Sequence, residues 1–106
     1  MAQWLEVTDG GVVFWSQGEG KEAFRLIILR SGKQVYGYVN RCAHFGVPLA
    51  AKREQLIFRP HESISCNVHY ARYGWEDGKC ISGDCDGEGL LVVPLEVVEG
   101  EILIAR

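Results

Sequence analysis

Beta-branched and aromatic residues fall in short runs separated by glycine along the whole chain, a pattern that predicts strands and tight turns rather than helices. "VVFWS" at 12–16 follows an Asp9-Gly10-Gly11 turn. "AFRLIILR" at 23–30 and "QVYGYVN" at 34–40 flank Ser31-Gly32-Lys33, which predicts a hairpin with a three-residue connection whose glycine takes φ > 0. "LIF" at 56–58 and "SISC" at 63–66 are two short strands on either side of "RPHE", where Pro60 argues against one uninterrupted central strand. Between 73 and 88, glycines at 74, 78, 83 and 87 allow only brief pairing between turns. "LLVVPLEVV" and "EILIA" surround Glu99-Gly100 as a second hairpin, with Pro94 at an edge or bulge. Only 48–55 has the composition for a short helix.

The expected fold is therefore all-β and antiparallel. At 106 residues, the expectation is one domain with one modest core, too small for a catalytic domain plus a second module. A formal net charge of −3 gives no general pull toward nucleic acid or anionic membrane. The opening "MAQWLEVTDG" has no basic region followed by an apolar run, and no stretch approaches a bilayer span. Neither export nor a membrane anchor is expected, and the expected location is the cytoplasm.

Two segments carry chemistry. Cys42-x-His44 is followed after 21 residues by Cys66-x-x-His69, and both pairs fall on loops beside predicted strands. A thiolate and an imidazole from each loop make four ligands, enough for one inorganic centre if the loops meet. Any one of these residues alone reads as core packing or a local hydrogen bond; the paired arrangement favours a metal site. Zinc suits a Cys₂His₂ set, but a zinc finger groups its cysteines on one loop and its histidines on a helix, and this chain predicts no such helix. Zinc in another fold stays open at this point.

"CAHFGVPLA" at 42–50 and "CNVH" at 66–69, with "GKCISGDCDGEGLLVVPLEVVEGEILIA" at 78–105, resemble the two ligand loops, the following turn and the terminal hairpin of Rieske [2Fe-2S] proteins. The likeness is greatest to the soluble Rieske-type ferredoxins of bacterial oxygenase systems and extends over essentially the whole chain. It implies a small β-sandwich or barrel, a single Rieske domain over 1–106, with a cluster-binding subdomain at about 41–85. It implies one [2Fe-2S] cluster, with Cys42 and Cys66 on one iron and His44 and His69 on the other. Two neutral imidazoles in place of two thiolates leave the centre less negative, so it should accept an electron more readily than an all-cysteine cluster.

The resemblance also assigns supporting residues. Gly46 occupies the position where a backbone amide approaches the cluster without a Cβ clash. Tyr73, four positions after His69, stands where a hydroxyl can hydrogen-bond near a cysteine ligand, and Ala71 stands where respiratory members carry a serine. Tyr70 replaces the glycine that commonly follows the second histidine, and with Phe45 it would face a docking partner. Val47 and Val68 stand where respiratory members carry the cysteines of an inter-loop disulfide, so no such staple can form. Cys80 and Cys85 could be separate free thiols, a local disulfide or an additional metal pair; reduced structural thiols are the leading expectation, in keeping with a reducing compartment. His61 falls in the insertion between the loops, and Lys52-Arg53-Glu54 is expected to face solvent.

The implied function is one-electron transfer from a flavoprotein reductase to a terminal oxygenase, without catalysis on an organic substrate by this chain. Two other readings remain: a small electron-transfer subunit of a nitrite reductase, and a zinc-stabilised interaction module.

Overall fold

The computed structural model describes residues 2–3, 7–17, 24–41, 49–50, 53–66, 71–82 and 89–105. They form eleven antiparallel strands in three sheets. The middle sheet has the order β2-β3-β4-β9, built from Val12–Gln17, Phe24–Ser31, Gln34–Val39 and Val92–Val93. On one side of it lies the sheet β5-β6-β7-β8, from Ile57–Arg59, Ser63–Ser65, Arg72–Gly74 and Cys80–Ser82. On the other lies β1-β11-β10, from Ala2–Gln3, Glu101–Ile104 and Leu95–Val98.

β3 explains the layering. Its continuous run Leu26-Ile27-Ile28-Leu29 is wholly buried, and successive side chains of a strand point to opposite faces. Ile27 and Leu29 join a cluster with Ile64, Cys66, Tyr73 and Trp75 from the β5–β8 side. Ile28 joins a separate cluster with Val7 and Ile102, against which Leu95 packs. An unbroken apolar run here marks a strand covered on both faces, whereas one-sided burial would produce alternation.

The β3–β4 hairpin is tighter than the expected three-residue connection. Ser31 pairs with Gln34, leaving Gly32 and Lys33 as a two-residue turn in which Gly32 has φ 59°. Positive φ at the first central position is the geometry that favours glycine in a type II′ turn. The hydroxyl of Ser31 does not prevent its backbone from completing the ladder. Pro60 lies in the turn between β5 and β6, and Pro94 where the chain leaves β9 for β10, so neither proline interrupts a strand.

The helix expected at 48–55 is absent from the described part of that segment: Leu49 is in a bend, Ala50 is irregular, and only Arg53–Gln55 makes a single 3₁₀ turn. Leu49 and Ala50 are drawn into the core instead, and tertiary burial outweighs weak helix propensity. β1 was not expected from sequence; its two residues pair with Ile102 and Glu101. Among the described residues, no helix is long and apolar enough to cross a membrane.

Candidate metal centre

The β5–β8 sheet and the end of β4 supply the roots of both predicted ligand loops. Cys66 directly follows β6, is fully buried and is in no disulfide. Its amide donates to the carbonyl of Ala71 at 2.9 Å, and Ala71 leads directly into β7. The second loop is thus closed at its neck by a main-chain hydrogen bond, with residues 67–70 between.

The first loop leaves β4 through Asn40. The Asn40 side chain accepts from the Leu49 amide through Oδ1 at 2.9 Å and donates through Nδ2 to the Ala50 carbonyl at 3.0 Å. Its own amide donates to the carbonyl of Arg25 on β3 at 3.0 Å. Leu49, Ala50, Cys66, Ala71 and Tyr73 all belong to one buried cluster. The described ends of two loops far apart in sequence are therefore rooted in the same core.

Tyr73 is fully buried in β7 and pairs in register with Ile64 of β6, two residues beyond the Ala71 carbonyl that closes the Cys66 neck. Cys42, His44, Phe45, Gly46, His69 and Tyr70 lie outside the described residues. Among the described residues alone, no group of three or more His, Cys, Asp or Glu side chains could hold a metal. Cys66 is the one predicted ligand that is described, and its chemistry fits the centre: a buried, reduced thiol at a loop neck, positioned by strand pairing, with the other loop's end packed beside it.

Cys80 corrects the expectation of a reduced thiol, because it is disulfide-bonded. Its partner lies outside the described residues, as does Cys85. Residue separation does not reveal which thiols the fold brings within bonding reach. The cysteine-based argument for a reducing compartment falls with that expectation.

His61 stands apart from these loops, in the β5–β6 turn. Its Nδ1 lies 2.7 Å from the Ser31 hydroxyl and its Nε2 lies 3.5 Å from the Asp9 carboxylate. Its ring is 5.9 Å from that of Trp75. It thus ties the β5–β6 turn to the β3–β4 hairpin and the Asp9 turn. A buried Tyr38 makes a second tie, donating its hydroxyl to the Trp75 carbonyl at 2.7 Å. Burial, and then the Asp77 carboxylate, push the Tyr38 phenol well above the usual tyrosine range, so it remains a protonated donor. Gly78, at φ 69°, passes so close that an added Cβ would lie 2.7 Å from the Tyr38 ring.

Sequence reasoning missed Asn40. The available signal was an asparagine at a strand end, where its side chain commonly bonds nearby backbone; here the partners are nine and ten residues away.

Residues 5–98 match the family model of the Rieske [2Fe-2S] domain. Among solved structures, the chain is similar to the ferredoxin of carbazole 1,9a-dioxygenase from Nocardioides aromaticivorans IC177, with TM-score 0.74, 21% identity, and coverage of 98% of this chain and 92% of that one. A chain in the complex of reduced oxygenase and oxidized ferredoxin in carbazole 1,9a-dioxygenase gives TM-score 0.73 at 22% identity, covering 99% of this chain and 98% of that one. The terminal oxygenase of carbazole 1,9a-dioxygenase from Novosphingobium sp. KA1 gives TM-score 0.74 at 21% identity over 95% of this chain, but only 27% of that one. A search of curated proteins returns no match.

Proposed function

Because the chain belongs to the Rieske [2Fe-2S] domain family, we propose that it is a one-electron carrier that receives an electron from a flavoprotein reductase and delivers it to a terminal oxygenase. Cys42 and Cys66 would hold one iron, and His44 and His69 would hold the other. The observation that carries this reading is the common root of the two loops, with the buried Cys66 thiol packed in one cluster with Leu49 and Ala50. When bound, the [2Fe-2S] cluster supplies reversible one-electron chemistry, at a potential raised by the substitution of two imidazoles for thiolates.

The chain's own residues hold and shield that centre. Cys66 and Tyr73 are fully buried, so the Cys66 thiol would meet the cluster away from water, whose access would alter the potential. Ala71 provides a neck carbonyl but no hydroxyl, so Tyr73 is the hydroxyl candidate on this side. By the family reading, Gly46 would permit close backbone approach in the first loop, and Phe45 and Tyr70 would face the docking partner. Residues 1–106 act as one domain, with 41–85 as the cluster-binding part.

The chain covers 92% and 98% of two of the matched chains and 27% of the oxygenase chain. In the similar complex of reduced oxygenase and oxidized ferredoxin in carbazole 1,9a-dioxygenase, a ferredoxin is bound to its oxygenase, which supports an oxygenase as the acceptor. The test is to purify the protein anaerobically, measure iron, acid-labile sulfide and zinc, and then follow electron delivery from a flavin reductase to the oxygenase encoded beside its gene. Equimolar iron and sulfide with reductase-dependent reduction of the oxygenase is expected. A colourless zinc protein would overturn the reading, and delivery only to a neighbouring sirohaem nitrite reductase would replace the oxygenase as acceptor.

A further inference from the structure

We propose that Asn40 is the positioning residue of the first ligand loop: its buried carboxamide clasps the loop at the neck and thereby fixes where Cys42 and His44 are presented. The proposal rests on the family reading for what the loop holds, whereas the clasp itself stands on the hydrogen bonds around Asn40.

Asn40 is 8% exposed, and both ends of its carboxamide are engaged. One primary amide presents an acceptor and a donor from the same planar group, and here they meet the amide of Leu49 and the carbonyl of Ala50. Aspartate would keep the acceptor but lose the donor. Alanine would lose both and strand a buried N–H and C=O, each of which costs more than the net worth of an ordinary hydrogen bond. The Asn40 main chain is itself anchored to β3 through the Arg25 carbonyl. The clasp is therefore fixed to β3, whose Leu26–Leu29 run is wholly buried.

The two loop necks are closed by different means. Cys66 closes the second through its own backbone, so that ligand is a member of its neck. The first neck is closed by a side chain, with Cys42 and His44 two and four residues beyond it. Opening the Asn40 clasp therefore loosens one ligand of each iron while leaving the second neck closed. The consequence is a spread of ligand geometries and a shifted potential, not only a less stable protein.

The test compares cluster-loaded wild type, N40A, N40D and a remote control, I102V, which trims the separate cluster around Val7 and Ile28. Three readouts are taken: bleaching of the visible absorption in EDTA below the unfolding temperature, the EPR line shape after reduction, and the reduction potential. N40A is expected to bleach roughly 10- to 100-fold faster than wild type, with broadened EPR features and a displaced potential. N40D should fall between them in bleaching, and I102V should stay within about twofold of wild type with unchanged spectra and potential. Amide exchange at Leu49, measured also on cluster-free protein, separates the clasp from the family reading and keeps the test open if N40A retains no cluster. Faster exchange in N40A supports the clasp even if wild type binds no cluster, a result that would sink the family reading alone. Wild-type exchange at Leu49, or bleaching, line shape and potential no different from I102V, would overturn the proposal.

Discussion

Cys66 and Cys80 show how differently one residue type is used in this chain. Cys66 is fully buried at a loop neck and in no disulfide; Cys80 is partly exposed at the start of β8 and disulfide-bonded. Replacement is therefore expected to separate them. Cys66→Ala should abolish the visible chromophore and the bound iron, while Cys80→Ser should retain full iron and sulfide content, with a stability loss of about 2–4 kcal/mol from the broken cross-link. Iron and sulfide assays with denaturant titration check both, and cluster loss in Cys80→Ser would contradict the ligand assignment. The cysteine and histidine pairs that suggest a metal centre can be read from the sequence because thiolate and imidazole chemistry resides in the residues themselves and the spacing within each pair is local; of the four, Cys66 is the one the structure describes. The Cys80 disulfide and the Asn40 clasp could not be read there, because which thiols and which backbone groups come within bonding reach is set by the folded chain and not by residue type.

At the scale of elements, β3 and its partner β4 organise what surrounds them. Ile28 is fully buried on the face opposite Ile27 and Leu29, so Ile28→Ala should cost about 2–5 kcal/mol, read as a lower urea midpoint with an unchanged slope. On β4, the Tyr38 phenol is held above the usual tyrosine range first by burial and then by Asp77. The folded state thus holds this proton more tightly than the unfolded chain does. Its contribution to stability is complete below about pH 10 and is lost as pH rises from there toward the folded value. Tyr38→Phe should lose about 1 kcal/mol at pH 7 with its bond to Trp75, and its stability should fall less steeply above pH 10. Urea midpoints at pH 7 and 10.5 decide this, and an equally steep alkaline loss in Tyr38→Phe would contradict it. The long strands were legible because β-branched runs and flanking glycines are local signals. The two-residue β1 and the core placement of Leu49 and Ala50 were not, since pairing and burial by distant strands decided them; Ser31 joins the ladder through its hairpin partner Gln34, a choice of turn length that residue type leaves open.

For the molecule as a whole, a middle sheet covered on both faces serves as the frame. On one side the β1–β11–β10 sheet completes the second core; on the other, the β5–β8 sheet leads into Cys66, and hydrogen bonds from Tyr38 to the Trp75 carbonyl and between His61 and the Ser31 hydroxyl tie that side to the middle sheet. A rigid base with two closed necks suits a carrier, since a centre held in one geometry through oxidation and reduction exchanges electrons with little rearrangement. The assignment of Cys42, His44, Cys66 and His69 to one mixed-ligand cluster is the claim on which the rest depends. The measurement that tests it most directly is EPR of natively purified protein reduced with dithionite. One rhombic signal is expected, with an average g below that of an all-cysteine [2Fe-2S] ferredoxin and lost on replacing His44 or His69. An all-cysteine-type signal, or no signal from fully loaded and reduced protein, would contradict the account.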